Sequence, residues 1–196
     1  MLALALLGSY LLGSIPTAYL LVKWTKRIDI RTIGSGNVGA TNALRAAGAW
    51  AGLAVLVLDV LKGVLAVGLI PRWWLGSPAS SLALACGLAA VLGHTFPCFL
   101  RFRGGKGVAT TLGALSASAP MVAGVVVGVW LVVFLAFRYV SLGSLAAAVA
   151  IPISQLALHQ ALPDVLVGSV LAVLIIGRHR GNLQRLLSGV EPRAWG

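Results

Sequence analysis

A succession of apolar stretches limits what this chain can fold into. Most of them are long enough to cross a hydrocarbon core of roughly 30 Å, which takes about 20 helical residues. Leu2–Val22, Trp50–Ile70, Leu82–Leu100, Leu142–Leu158 and Val165–Ile176 stand out clearly. Val108–Phe137 is longer than one crossing needs, about 45 Å at a rise of 1.5 Å per residue. Pro120 lies inside it, next to Ser116, Ser118 and Ala119, and proline favours a break there. The stretch therefore reads as two crossings, Val108–Ala119 and Met121–Phe137, the first short and packed among neighbours. Only 10% of the residues are charged, against about 25% in an ordinary soluble domain, which excludes a soluble globular fold. No repeat, linker or low-complexity tract divides the chain, so residues 1–196 read as one polytopic domain.

The charges sort the ends of these helices. Fifteen Lys and Arg stand against four Asp and Glu, a net charge of +11. Lys23, Lys26, Arg27, Arg31 and Arg45 follow the first span, and Arg101, Arg103 and Lys106 follow the third. Arg138 stands alone, and Arg178, Arg180, Arg185 and Arg193 close the chain. By the positive-inside rule all four groups belong on the cytoplasmic face. Seven crossings with the N-terminus outside and the C-terminus cytoplasmic satisfy that rule; six would strand the last group outside. The expected fold is an all-α integral membrane protein with seven transmembrane helices and short cytoplasmic interfacial helices. Leu2 onward lacks a basic n-region and an A-x-A site, so it reads as the first helix and not as a removed signal peptide. Cys86 and Cys98 have no metal-type spacing.

Three polar clusters fall in the same cytoplasmic segments. The first, GSGNVGATNALR, contains Gly34, Gly36 and Gly39 in the G-x-G-x-x-G pattern, with Asp59 where a ribose ligand would be expected. That fingerprint must follow a strand in a βαβ unit; here it follows a transmembrane helix. Asp59 lies inside the next span, with Lys62 at i+3 as its partner. The loop still suits an anion, because its glycines allow close backbone approach and exposed N–H groups at a helix start attract negative charge. Asn37 is the expected N-cap of a short helix ending at Gly48, and Arg45, one turn beyond Thr41, reaches back toward the loop. In the second cluster, GHTFPCFLRFRGGKGVATT, Gly104, Gly105 and Gly107 surround Lys106 just before a helix. This is not a Walker A loop, but it is a reasonable phosphate cradle. His94 reads as a packed, hydrogen-bonded residue. In the third, GRHRGNLQRLLSGVEPRAW, His179 and Asn182 share a helix face, and Leu183, Leu186 and Leu187 form an interfacial apolar stripe. Ser141 and Ser144 follow Arg138 at the remaining cytoplasmic turn.

These blocks, with GSIPTAYL, LDVLKG and RYVSLGS in the same order, resemble the PlsY family of bacterial acyl-phosphate:glycerol-3-phosphate acyltransferases over nearly the whole chain. The resemblance implies a seven-helix enzyme of the bacterial cytoplasmic membrane with its active site facing the cytoplasm. It would transfer a fatty acyl group from acyl phosphate to glycerol 3-phosphate, giving lysophosphatidic acid and phosphate, the first committed step of phospholipid synthesis. It implies that the loop with Ser35, Gly36 and Asn37 cradles a phosphate, together with Gly39, Thr41 and Asn42 and with Gly104, Gly105 and Gly107. Arg45, Lys106, Ser144, His179 and Asn182 would contact glycerol 3-phosphate or the reacting group. Membrane lipid and the enzyme that supplies acyl phosphate are the expected partners, nucleic acid is not, and no cofactor is expected.

The residues suit that chemistry. Acyl phosphate is an activated mixed anhydride, so no covalent intermediate is required, and positioning two anions and an oxyanion is the main task. His179 is one candidate base; the other is the acyl-phosphate oxygens themselves, with His179 and Asn182 orienting the hydroxyl. The second is preferred, since arginines on both sides of His179 disfavour its protonation. His159 and Asp164 match H-x4-D, a dyad similar to the active site of another glycerolipid acyltransferase family, but with no Lys or Arg nearby they read as a solvated loop pair. The carboxylates Asp29, Asp59, Asp164 and Glu191 are dispersed, so no metal is expected. A transporter of phosphate-containing anions is the competing class, disfavoured because the special residues gather on one face and no internal repeat exists.

Overall fold

The computed structural model describes residues 1–76 and 79–194. Among them every regular element is helical. Two compact units follow one another along the chain, Met1–Ser118 and Ala119–Gly196.

The first unit contains α1 (Leu2–Ser14), α2 (Thr17–Lys26), α3 (Ala40–Ala47), α4 (Ala49–Gly68), α5 (Ile70–Leu75), α6 (Ser80–Thr95) and α7 (Val108–Ser118). The first span was expected as a single helix, but it breaks at Ile15–Pro16. Proline has no N–H to continue the ladder and its ring crowds the preceding turn, so α1 ends at Ser14 and carbonyls at the break face outward from the helix. Lys62 from α4 reaches across and donates to Gly13 O at 3.3 Å and Ile15 O at 3.0 Å. Asp59 neutralises it at 2.8 Å, the expected i,i+3 pair, and Thr17 donates to the same carboxylate at 2.6 Å. Small residues let the backbones approach, as is common between membrane helices. A Cβ on Gly13 would collide with the Ala90 backbone of α6, and one on Gly113 with the Val60 backbone of α4.

The third expected span also shortens. Its helix ends at Thr95, and Phe96–Pro97 lead into a 3₁₀ turn, Cys98–Leu100. The hydroxyl of Tyr10 on α1 donates to Phe96 O at 2.8 Å and ties that end down.

The second unit contains α8 (Pro120–Phe137), α9 (Val140–Ala157), α10 (Leu162–Arg178) and α11 (Arg180–Leu187). Pro120 starts α8, so the break expected there is present, with proline at the first helical position where its missing N–H costs nothing. Gln155 is fully buried on α9 and donates to Asp164 O at 3.0 Å, an interhelical bond that helps fasten α10. His159 is exposed, as expected for a loop residue, but Asp164 is buried in the first turn of α10. The solvated-loop reading of Asp164 is thereby corrected: a helix N-terminus with unsatisfied N–H groups is where a carboxylate is stabilised.

Among the described residues, five helical segments are long and apolar enough to cross a membrane: Leu2–Lys26, Ala49–Leu75, Ser80–Leu100, Pro120–Phe137 and Val140–Ala157. A sixth is reached if α10 and α11, bent by 57°, are counted as one broken span. At about 1.5 Å per residue, the 11 residues of α7 span only about 16 Å, well short of a hydrocarbon core.

Candidate active site

In the first unit, the loop leaving α2 is secured before it reaches the glycines. Asp29 accepts from Arg31 N at 2.9 Å and is paired with the Arg31 guanidinium at 2.6 Å, and that guanidinium lies 5.2 Å from the centre of the Tyr19 ring. Hydrogen bonds from Arg31 hold the Asp29 carboxyl at about 2.

The GSGNVGATN loop then closes around one side chain, Asn42. Its amide donates to Ile30 O, Ile33 O and Asn37 O at 3.0–3.1 Å, and its Oδ1 accepts from Ser35 N at 3.2 Å. Asn42 is 1% exposed. It therefore shapes the loop from inside, while Ser35 lies at the surface and Gly36 and Asn37 are half-buried. Gly34 and Gly36 adopt φ of +56° and +66°, which a side chain resists. Asn37 does not cap the helix: the N-cap of α3 is Gly39, in extended conformation and with no side-chain bond. Glycine has no side chain to cap with, so the start of α3 at Ala40 and Thr41 is a donor-rich end that suits an anion. The helix ends at Gly48, as expected. Arg45 is exposed, has no ion pair among the described residues, and lies beside Gly34, as its one-turn spacing from Thr41 suggested.

The GGKG turn is built differently from the expected cradle. Gly104 N donates to Thr95 O at 3.2 Å and Gly105 N to His94 O at 3.0 Å, so both amides point inward and not toward a ligand. Gly107 adopts φ of +84° just before α7, and Lys106 sits half-buried between them. The turn therefore places Lys106 and the first turn of α7 more than it offers its own glycine amides. His94 is buried and hydrogen-bonded, as expected.

In the second unit, His179 marks the bend between α10 and α11 and is 2% exposed. Its Nδ1 lies 2.8 Å from Ile175 O. A carbonyl can only accept, so in the neutral ring Nδ1 carries the proton and Nε2 the lone pair. Asn182, one turn on and also buried, shares its face as the spacing implied. Ser144 on α9 donates to Val140 O at 2.8 Å and receives the Trp130 indole at 3.4 Å.

Sequence reasoning missed Glu191, which it counted only as a dispersed carboxylate. Gly189, at φ of +72°, turns the tail, and the Glu191 carboxylate takes Ser141 Oγ at 2.6 Å, Asn182 Nδ2 at 2.7 Å and Arg185 Nε at 2.7 Å. Burial alone would push this carboxyl up, but the bonds from Ser141, Asn182 and Arg185 outweigh it and hold it below its ordinary value. Further along, Arg193 lies over the Tyr139 ring at 5.5 Å and Ala194 N donates to Arg138 O at 2.9 Å, strapping the tail across the α8–α9 turn. The available signal was a lone acid in an arginine-rich tail. Trp130 offered none.

This combination defines a class: an all-helical integral membrane protein with glycine-rich basic loops at helix ends and a buried His–Asn pair at a helix bend. The family model for glycerol-3-phosphate acyltransferase matches residues 3–189. A glycerol-3-phosphate acyltransferase of a Synechococcus strain is 48% identical, over 97% of this chain and 93% of its own length. Glycerol-3-phosphate acyltransferase 2 of Moorella thermoacetica is 49% identical, over 97% and 96%. The crystal structure of PlsY, an integral membrane glycerol 3-phosphate acyltransferase, in its glycerol 3-phosphate form superposes with a TM-score of 0.91 at 41% identity, covering 98% of this chain and 94% of that one. A second structure of PlsY, in its lysophosphatidic acid form, gives 0.87 at 40% identity with the same coverage. This chain belongs to the glycerol-3-phosphate acyltransferase family.

Proposed function

We propose that this chain is a membrane acyltransferase that moves a fatty acyl group from acyl phosphate to glycerol 3-phosphate, giving 1-acyl-glycerol 3-phosphate and inorganic phosphate, the first step of phospholipid synthesis. The observation that carries the reading is the Ser35–Asn42 loop, closed on Asn42 and followed by the uncapped start of α3 and by Arg45, in a chain of this family. Arg45 and Lys106 supply positive charge for substrate phosphates. Ser35, Gly36, Asn37, Gly39 and Thr41 form the cradle that Asn42 shapes, and Gly104, Gly105 and Gly107 set the turn that carries Lys106.

In the reaction, the glycerol 3-phosphate hydroxyl oxygen bonds to the acyl carbonyl carbon. The bond from that carbon to the bridging oxygen breaks, phosphate leaves with that oxygen, and the hydroxyl proton passes to an oxygen of the leaving phosphate. Ser144, His179 and Asn182 serve the hydroxyl and the reacting group. A neutral His179 with its lone pair on Nε2 suits orienting a hydroxyl through acceptance of its hydrogen bond. Positioning two anions and stabilising the oxyanion supply the acceleration.

The chain is placed in the bacterial cytoplasmic membrane as one polytopic domain with seven crossings, N-terminus outside and C-terminus cytoplasmic, its chemistry on the cytoplasmic side. The four groups of Lys and Arg support this orientation. The partner that follows is an enzyme supplying acyl phosphate.

The test is phosphate release by purified, detergent-solubilised protein given acyl phosphate, with and without glycerol 3-phosphate. Release that requires glycerol 3-phosphate and collapses in Arg45→Ala is expected. No release from folded wild-type protein would sink the reading and favour a transporter.

A further inference from the structure

One buried polar cluster has no part in the chemistry just described. Asp59 and Lys62 pair at 2.8 Å inside α4, with side chains 2% and 6% exposed, in a span that otherwise runs almost wholly apolar. Capping the Gly13 and Ile15 carbonyls at the α1–α2 break accounts for Lys62, and neutralising Lys62 accounts for Asp59. Neither accounts for His94. Its Nδ1 lies 3.6 Å from Asp59 Oδ1 and 3.5 Å from Lys62 Nζ. The far edge of the same ring abuts Gly105: a Cβ there would collide with Nε2. The main chain beside that ring holds the turn as well, through His94 O to Gly105 N and Thr95 O to Gly104 N. Ring orientation and turn position are therefore fixed together, and the ring is oriented from its other edge by the ion pair.

We propose that Asp59, Lys62 and His94 are positioning residues that set the Gly104–Gly107 turn, and through it Lys106, from inside the membrane span. The proposal rests on the acyltransferase reading for the identity of the phosphate that Lys106 meets. Glycerol 3-phosphate is the substrate whose binding responds more. It is small and water-soluble and is held by polar contacts alone, whereas acyl phosphate keeps the membrane affinity of its chain.

Two variants separate positioning from stability. His94→Asn retains a polar atom near the Nδ1 position but loses the outer half of the ring that meets Gly105. Asp59→Asn retains shape and removes the charge. Purified wild type and variants are compared by thermal unfolding in detergent, by calorimetric binding of glycerol 3-phosphate, and by KM and kcat for each substrate. For His94→Asn, the Kd and KM for glycerol 3-phosphate are expected to rise about tenfold, the order that loss of one charge-assisted contact gives. KM for acyl phosphate is expected to move less than about twofold, with the unfolding temperature nearly unchanged. Asp59→Asn shifts binding in the same direction with a larger loss of stability. Wild-type Kd in folded His94→Asn would overturn the proposal. So would activity lost only in proportion to folded protein, with KM unaltered. Wild type that binds glycerol 3-phosphate but does not turn over acyl phosphate overturns the donor assignment instead, and the ratio of Kd values still decides the proposal.

Discussion

The glycine loop of the first unit and the histidine bend of the second meet the same demand by opposite means. Each must fix polar groups at a membrane edge with almost no carboxylates to spare. The loop is organised by a neutral amide: Asn42 binds three carbonyls and one N–H, and Arg45 stays exposed with no ion pair among the described residues. The bend is organised by a charge: Glu191 draws Ser141, Asn182 and Arg185 to one carboxylate. A neutral organiser keeps the local field positive, which suits a segment meant to attract phosphate. A carboxylate organiser cancels part of the field and makes its region sensitive to acid.

The largest expected effect comes from breaking the neutral organiser. Asn42→Leu leaves the carbonyls of Ile30, Ile33 and Asn37 without their donor, at about 1–3 kcal/mol for each buried one. kcat/KM should fall about a hundredfold or more, the scale of a displaced binding loop, measured on protein that still elutes as a folded species. Next comes the charged organiser. Glu191→Gln keeps the shape but loses the charge, and about a tenfold loss of kcat is expected with a lower unfolding temperature. Near-wild-type values would mean that the strap does not hold Asn182 in place.

Acid should sharpen the contrast. The Glu191 carboxyl is held below its ordinary 4.5, so its contribution is complete above that value and is lost as pH falls through the lowered one. Asp29, held at about 2, loses its pairing only between about 3.8 and 2. Asn42 does not titrate. Hydrogen exchange followed downward from pH 5 should therefore show the tail loosening as pH falls below 4.5, and Glu191→Gln should abolish that response. Smaller still, Asp164→Asn should cost about 1 kcal/mol of stability, from a carboxylate at a helix start, with kcat/KM of the folded protein unchanged. A large loss of turnover would bring the His159–Asp164 dyad back into consideration. His179→Gln should retain measurable turnover if the substrate phosphate takes the proton; complete loss with intact binding would make His179 the base.

Much of this was readable from local pattern. Apolar length located most of the spans, Pro120 marked its break, and i,i+3 spacing paired Asp59 with Lys62 and placed Asn182 on the face of His179. Features that depend on long-range partners were not readable. Pro16 signals a helix break, but not that Lys62 will take the carbonyls there. Asn42 looked like a ligand group because its three carbonyl partners are brought together only by the folded loop. Asn37 looked like an N-cap because Asn favours that position, yet the helix starts later, at Ala40, and Gly39 takes the place. Glu191 required the chain reversal at Gly189 to reach its partners.

The most direct test of acyl transfer is an isotope experiment. Acyl phosphate labelled with ¹⁸O at the bridging oxygen is turned over with glycerol 3-phosphate, and the label is traced by mass spectrometry. Attack at the acyl carbon predicts all of the bridging label in inorganic phosphate and none in the ester or in free fatty acid. Label in free fatty acid, with a second phosphate on the glycerol, would mean attack at phosphorus and would contradict the assignment.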